Sequence, residues 1–174
     1  MAHRSDEILK RLPSGPVVGA EIGVFAGRTS AMLLKREDLT LYMVDPWKAF
    51  VADNIVIADD EEQEKNLSKA KDSTEFAVNR RHVIRMTSTI AAQCIDDKSL
   101  DFVFIDGDHS YLAVGADIAA WNVKLKDGGL LCGHDYANNE YIFGNEVKRA
   151  VDGYAKVHGI EVELGGDFTW FIRL

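Results

Sequence analysis

Four short apolar runs, each ending in a glycine or an acid, restrict the folds open to this chain more than any other feature. Val17–Ile22, Leu39–Val44, 101–105 and 130–132 are too short for buried helices, and they lead into Gly23, Asp45, Asp106 and Gly133. Runs of this kind, bounded by turn residues, read as strands buried within a sheet. Helical spacing fills the intervals, predicting helices over 5–12, 29–36, 59–77, 89–94, 111–125 and 145–158. The acids Asp59 to Glu62 suit the first turn of the third helix, and Gly159 closes the last one. In the helix over 111–125, Ala113, Ala116, Ala120 and Trp121 are expected on the inner side. A further strand is expected over 82–86, and two final strands over 161–164 and 169–172, joined at Gly165, Gly166 and Asp167. Residues 47–59 read as an irregular segment in which Trp47 and Phe50 could form a lid.

Strands alternating with helices specify a doubly wound α/β fold, a mostly parallel sheet with helices on both faces and a closing antiparallel strand. A single domain is expected over 1–174, with residues 1–16 as an N-terminal helix and linker and 17–174 as the core. In such sheets ligands bind beyond the carboxyl ends of the strands. The glycines and acids that end the apolar runs therefore converge on one rim.

Charge narrows the partners. The net charge of −8 opposes nucleic acid and anionic membrane surfaces, which draw on basic residues. No run approaches the length of a membrane span, and the N-terminus lacks the apolar stretch of a signal peptide. Cys94 and Cys132 sit among apolar neighbours and read as unpaired core residues in a reducing compartment, so a cytoplasmic protein is expected.

Three sequence motifs carry candidate chemistry. The segment Glu21-Ile-Gly-Val-Phe-Ala-Gly27 offers a tight turn at Gly23, close approach of a ligand or helix at Gly27, and an acid suited to a cationic amine. A pyrophosphate would instead favour bare backbone N–H groups without the acid. Asp45 ends the second run at a distance that suits a grip on ribose hydroxyls, although a turn-forming Asp before Pro46 reads equally well. Thr87 and Ser88 could face an adenine edge, or Ser88 could cap a helix. Finally, Asp106-Gly-Asp-His-Ser-Tyr111 and Gly133-His-Asp-Tyr136 bring carboxylates and imidazoles to two strand ends. They could hold a divalent metal through Asp106, His134 and Asp135, with Asp108 as an alternative ligand, or place His109 or His134 as a general base. Turn caps and hydrogen-bonded rim groups are the plainer alternative.

These residues resemble the class I S-adenosylmethionine-dependent methyltransferases. More narrowly, the chain is similar to the small branch that includes macrocin- and sugar-type O-methyltransferases and cephalosporin-hydroxylase-like proteins. The resemblance runs from about Val17 to the C-terminus, and Phe104-Ile-Asp-Gly-Asp-His-Ser-Tyr111 with Gly128-Gly-Leu-Leu-Cys-Gly-His-Asp-Tyr136 is its most specific pairing. It implies a Rossmann-like sheet of seven strands in the order 3-2-1-4-5-7-6, strand 7 antiparallel, and S-adenosylmethionine as cofactor. By position it implies that Glu21, Gly23, Val24 and Gly27 line the methionine moiety, Asp45 holds the ribose and Ser88 lies near the adenine. Asp106, Gly107 and His109 would form a further wall of that pocket, and Asp106, His134 and Asp135 would carry the chemistry with or without a metal. An imidazole where relatives carry a hard oxygen ligand disfavours magnesium. The expected reaction is transfer to a hydroxyl of a small molecule or sugar-like substrate. Substrate walls would come from residues 1–12, 47–62, 136–144 or a second subunit, which makes a homodimer an expectation. A cofactor-binding module without transfer activity and a nicotinamide-dependent oxidoreductase are the rival functions.

Overall fold

Buried strands with opposite faces of different content organise the chain. The computed structural model describes residues 3–52, 55–138 and 145–174. The main sheet contains β1 (Val17–Ile22), β2 (Leu39–Val44), β5 (Arg81–Ile84), β6 (Leu100–Ile105), β7 (Leu125–Gly133), β8 (Glu163–Leu164) and β9 (Trp170–Arg173). Their spatial order is β5-β2-β1-β6-β7-β9-β8. Numbered within this sheet alone, that is 3-2-1-4-5-7-6. The first five strands run parallel, and β9 is antiparallel to both β7 and β8.

Period-two alternation splits the core into two layers. On one face Ala20, Ile22, Val103, Ile105 and Leu131 meet helices α4 (Ser88–Ala92), α5 (Tyr111–Trp121) and α6 (Glu146–His158), through residues such as Ala92, Ile118 and Val151. On the other face Leu41, Met43, Phe102 and Phe104 meet α1 (Arg4–Leu9), α2 (Arg28–Leu33) and α3 (Asp60–Ser73), through Ile8, Leu33 and Leu67. Each fully buried side chain of this size contributes about 1.5–3 kcal/mol.

Several elements differ from expectation, each for a physical reason. Residues 47–59 are not irregular throughout: β3 (Phe50–Ala52) and β4 (Ile55–Ala58) form a separate antiparallel pair. Trp47 is fully buried and donates its indole N–H to the Phe25 carbonyl at 2.8 Å, so it is a structural anchor rather than a lid. The Phe50 side chain and residues 139–144, named among the substrate walls, lie outside the described residues. Helix α5 stops at Trp121 and a 3-10 turn covers Asn122–Lys124, because Leu125 is already paired with Leu100 as the start of β7. Its inner side is formed by Val114, Asp117, Ile118 and Trp121, while Ala116 is exposed. Thr87, not Ser88, holds the cap position of α4. Cys94 is exposed rather than a core residue, whereas Cys132 is buried, and both are free thiols. Tyr111, at the start of α5, is partly exposed, with Arg149 over its ring at 5.0 Å.

Candidate cofactor and acceptor site

The turn after β1 is shaped by two glycines in the left-handed region. Gly23 has φ 87°, and a Cβ there would stand 2.2 Å from the Asp106 carbonyl oxygen. Gly27 has φ 78°, and a Cβ there would stand 2.7 Å from Ala70 Cα in α3. Both glycines thus admit neighbouring backbone, the strand end in one case and a helix in the other. Within this turn the Asp45 carboxylate collects three backbone donors: Val24 N at 3.0 Å, Phe25 N at 2.9 Å and Trp47 N at 2.7 Å. A carboxylate offers about four acceptor positions, so Asp45 retains capacity for one further donor. Its first task is to join the ends of β1 and β2.

Glu21, at the end of β1, is 1% exposed and accepts a hydrogen bond from the Ser30 hydroxyl. Burial pushes its carboxyl up to about 8, an effect only partly opposed by Ser30. It lines a cleft of about 430 Å³, together with Val24, Arg28, Thr29 and Asp106 among others. A buried acid at a cleft has room for a cationic partner.

The ends of β6 and β7 bring the second cluster together. The two carboxylate oxygens of Asp106 face different partners. Oδ1 lies 3.5 Å from both His109 Nε2 and His134 Nδ1, and Oδ2 accepts from Arg4 Nη1 at 2.5 Å. Asp135, held at φ 58°, places Oδ2 2.9 Å from His109 Nε2 and 3.0 Å from His134 Nδ1. Asn138 donates to its other oxygen at 2.6 Å. The His134 contacts are close but not aligned, leaving both ring nitrogens without a hydrogen bond among the described residues. Burial alone would lower both imidazoles, but the two carboxylates outweigh it and raise each to about 9. Burial likewise opposes ionisation of Asp106 and Asp135, yet the imidazoles hold both carboxyls below their ordinary range.

The structure gathers some of the predicted residues into two groups and leaves Gly27, Asp45, Ser88 and Gly107 outside them. Glu21, Gly23, Val24 and Asp106 line the cleft, while Asp106, His109, His134 and Asp135 form one contiguous cluster beside it. Gly27 packs on α3, and a Cβ at Gly107 would lie 3.9 Å from Asp117 Oδ2. Ser88 is committed to protein, its hydroxyl accepting from Trp121 Nε1 at 2.9 Å. Burial raises the nearby Asp117 carboxyl to about 6, with the Ser88 hydroxyl opposing the rise. Sequence reasoning missed Asp117, although an acid among Ile118, Ala119 and Trp121 is a readable signal. It also missed Arg4 and Asp167. Arg4 bridges Asp106 and Asp167, with Nε 3.3 Å from Asp167 Oδ2. Neither residue carried a local signal, since one resembles a surface charge on a short helix and the other a hairpin residue.

The sheet order, the reversed β9 and an acid-bearing glycine turn facing Asp45 define a class I S-adenosylmethionine-dependent methyltransferase fold. The chain matches the methyltransferase-domain family over residues 20–136, and it belongs to that family. A Corynebacterium glutamicum protein of known structure superposes with a TM-score of 0.68 at 16% identity, covering 98% of this chain and 86% of that one. A candidate caffeoyl-CoA O-methyltransferase from Staphylococcus aureus gives 0.67 at 15% identity, over 100% and 85% of the two chains. An S-adenosylmethionine-dependent methyltransferase from Aquifex aeolicus gives 0.63 at 15%, over 98% and 88%. Among curated proteins, the uncharacterized protein y4gI of Sinorhizobium fredii (strain NBRC 101917 / NGR234) is 37% identical over 62 residues. That match takes in 36% of this chain and only 7% of the relative. Among the described residues no helix is long and apolar enough to cross a membrane.

The residues present fit the cofactor that this family implies. Buried Glu21 at the cleft suits the ammonium of an amino acid, and the cleft is large enough for such a chain. They also fit a divalent cation, because Asp106, His134 and Asp135 each offer a ligand atom within 4.8 Å of the others and His134 has no hydrogen bond to surrender. One nitrogen and two oxygen donors suit manganese, iron, cobalt or zinc better than magnesium.

Proposed function

We propose that this protein transfers a methyl group from S-adenosylmethionine to a hydroxyl oxygen of a small, polyhydroxylated, sugar-like molecule. The observation that carries this reading is the cluster of Asp106, His109, His134 and Asp135 at adjacent strand ends, directly beside the cleft that contains Glu21. The cofactor supplies an electrophilic methyl on a sulfonium. Glu21 would bind its ammonium and Asp45 its ribose, fixing the direction in which the methyl points. Asp106 stands between cleft and cluster, so it would orient the acceptor hydroxyl towards that methyl. Alignment of this kind is a large part of what an enzyme can contribute to a displacement. The acceptor end is lined with carboxylates, imidazoles and Asn138, which match an acceptor rich in hydroxyls better than an apolar one.

Removal of the hydroxyl proton falls to the imidazoles, with His134 the favoured base. Raised to about 9, they are protonated near neutrality and become bases only at higher pH. A divalent cation held by Asp106, His134 and Asp135 would take the place of the His134 proton and lower the pKa of a coordinated hydroxyl. Methyl transfer should therefore rise with pH towards a plateau above about 9 in the presence of a chelator. Added manganese or zinc should move the rise to lower pH. A profile indifferent to both would remove the imidazoles from the chemistry.

Thermal stabilisation by S-adenosylhomocysteine, but not by NAD, tests the cofactor. The opposite pattern would make the protein an oxidoreductase. Methyl transfer to a panel of sugars and other hydroxyl compounds tests the reaction, with His134→Ala and Asp106→Ala expected to lower the rate at least a hundredfold, at the lower end of what acid–base groups contribute. Cofactor binding without transfer to any member of the panel would mark a binding module.

A further inference from the structure

The tip of the β8–β9 hairpin holds backbone strain that packing does not explain. Thr169 N donates to the Gly166 carbonyl at 3.2 Å, closing a turn around Asp167 and Phe168. Both central residues are left-handed, with φ 54° and 51°, as in a type I′ turn. Asparagine followed by glycine is the favoured pair at these positions, and a bulky side chain with positive φ is a conformational outlier. Phe168 occupies the glycine position while 43% exposed, so burial of its ring offsets only part of the strain. Strain of this kind persists where the surroundings fix it, and it gathers at functional sites. Here the Phe168 carbonyl accepts from Tyr136 N at 3.0 Å, and Asp167 Oδ2 accepts from the Arg4 backbone N and Nε at 3.2 and 3.3 Å. The turn is thereby held against the cleft, which Asp167 lines. Asp167 Oδ1 makes no hydrogen bond among the described residues and lies 3.8 Å from His134 Nε2, a buried nitrogen that also makes none. A free carboxylate oxygen and an unpartnered imidazole beside an exposed ring combine polar recognition with an apolar platform, as small-ligand sites do.

We propose that the turn of Asp167 and Phe168 recognises the acceptor, Asp167 Oδ1 accepting from one of its hydroxyls and the Phe168 ring packing on its C–H face. This assignment rests on the proposed function and narrows it to a cyclic polyhydroxylated acceptor. A sugar ring carries hydroxyls around its edge and C–H groups on a face that an aromatic ring can cover. An acyclic polyol offers the same hydroxyls without the face. The phenyl ring has no proton to exchange, so its contribution falls on binding of the acceptor rather than on the transfer step.

Transfer of labelled methyl from S-adenosylmethionine to methyl hexopyranosides and to the matching alditols tests the assignment. The wild type should methylate a pyranoside with a KM about tenfold below that of its alditol. Phe168→Gly should raise the pyranoside KM about tenfold, with kcat and affinity for S-adenosylhomocysteine held within about threefold. Its melting temperature should be unchanged or up to about 4 °C higher, because the turn loses a strained residue. Phe168→Tyr, which keeps a ring, should recover most of the lost KM. Asp167→Gly, which also suits the turn, should raise the same KM, and an unchanged value there removes Asp167 from the assignment. A pyranoside KM that Phe168→Gly leaves unchanged, or a melting temperature that it lowers by more than about 4 °C, overturns the role of Phe168 and leaves the proposed function standing. Preference for the alditols overturns the cyclic acceptor. Transfer by the wild type to no member of either class overturns this assignment together with the proposed function.

Discussion

At the residue scale, Glu21 carries opposed demands. A carboxyl with 1% exposure and one hydroxyl donor is poorly solvated when ionised, and burial holds it up to about 8 against an ordinary 4.5. The folded protein therefore keeps a proton that the unfolded chain releases. Its stabilising effect is complete below the ordinary value and is lost as pH rises towards 8. Glu21→Gln keeps an acceptor for Ser30 and removes this loss. Chemical denaturation should find the variant more stable at pH 8 by on the order of 3 kcal/mol, with a flatter dependence on pH between 5 and 8. The same variant should bind S-adenosylhomocysteine more weakly. Because an ammonium favours the ionised carboxylate, cofactor binding by the wild type near pH 7 should release a proton from Glu21. Titrations in buffers of different ionisation enthalpy would read it, and loss of that component in Glu21→Gln would assign it.

At the element scale, the turn from β1 to α2 and the two strand ends were legible, and their partners were not. Val17–Ile22 and Leu39–Val44 coincide with the expected strands because apolar runs bounded by Gly23 and Asp45 leave little choice of period. The end of α5 is not legible in the local sequence because pairing of Leu125 with Leu100 is a long-range decision. Gly23 is a turn residue by sequence, and the structure adds a reason of contact. Gly23→Ala would combine a left-handed backbone with a clash 2.2 Å from the Asp106 carbonyl. It should cost more than about 2 kcal/mol of stability by thermal denaturation, and weaken cofactor binding by moving Asp106. Recovery of wild-type stability would mean that the turn relaxes without consequence.

At the scale of the whole molecule, α1 and the β8–β9 hairpin close the site from opposite ends of the chain. Arg4 joins Asp106 to Asp167, while Arg11, just after α1, pairs with Glu7 and Glu163 and lies 4.0 Å over the Phe171 ring. Arg11→Ala should cost about 1 kcal/mol, mainly through lost packing and a partly exposed network. Hydrogen exchange should then quicken in residues 163–173 before it does in β1 or β6. Uniform exchange across the sheet would show that α1 does not hold the hairpin.

The sequence by itself determined the alternation of elements, the sheet they build and the rim where acids and imidazoles gather. Those features follow from local period and from residues adjacent in the chain. Only the tertiary structure decided that His109 and His134 share Asp106 and Asp135, that Trp47 is buried and bonded to the Phe25 carbonyl, and that Arg4 and Asp167 complete the site. Such pairings join positions up to the two ends of the chain. Charge and size allow many partners for each, and strand order with helix packing selects one.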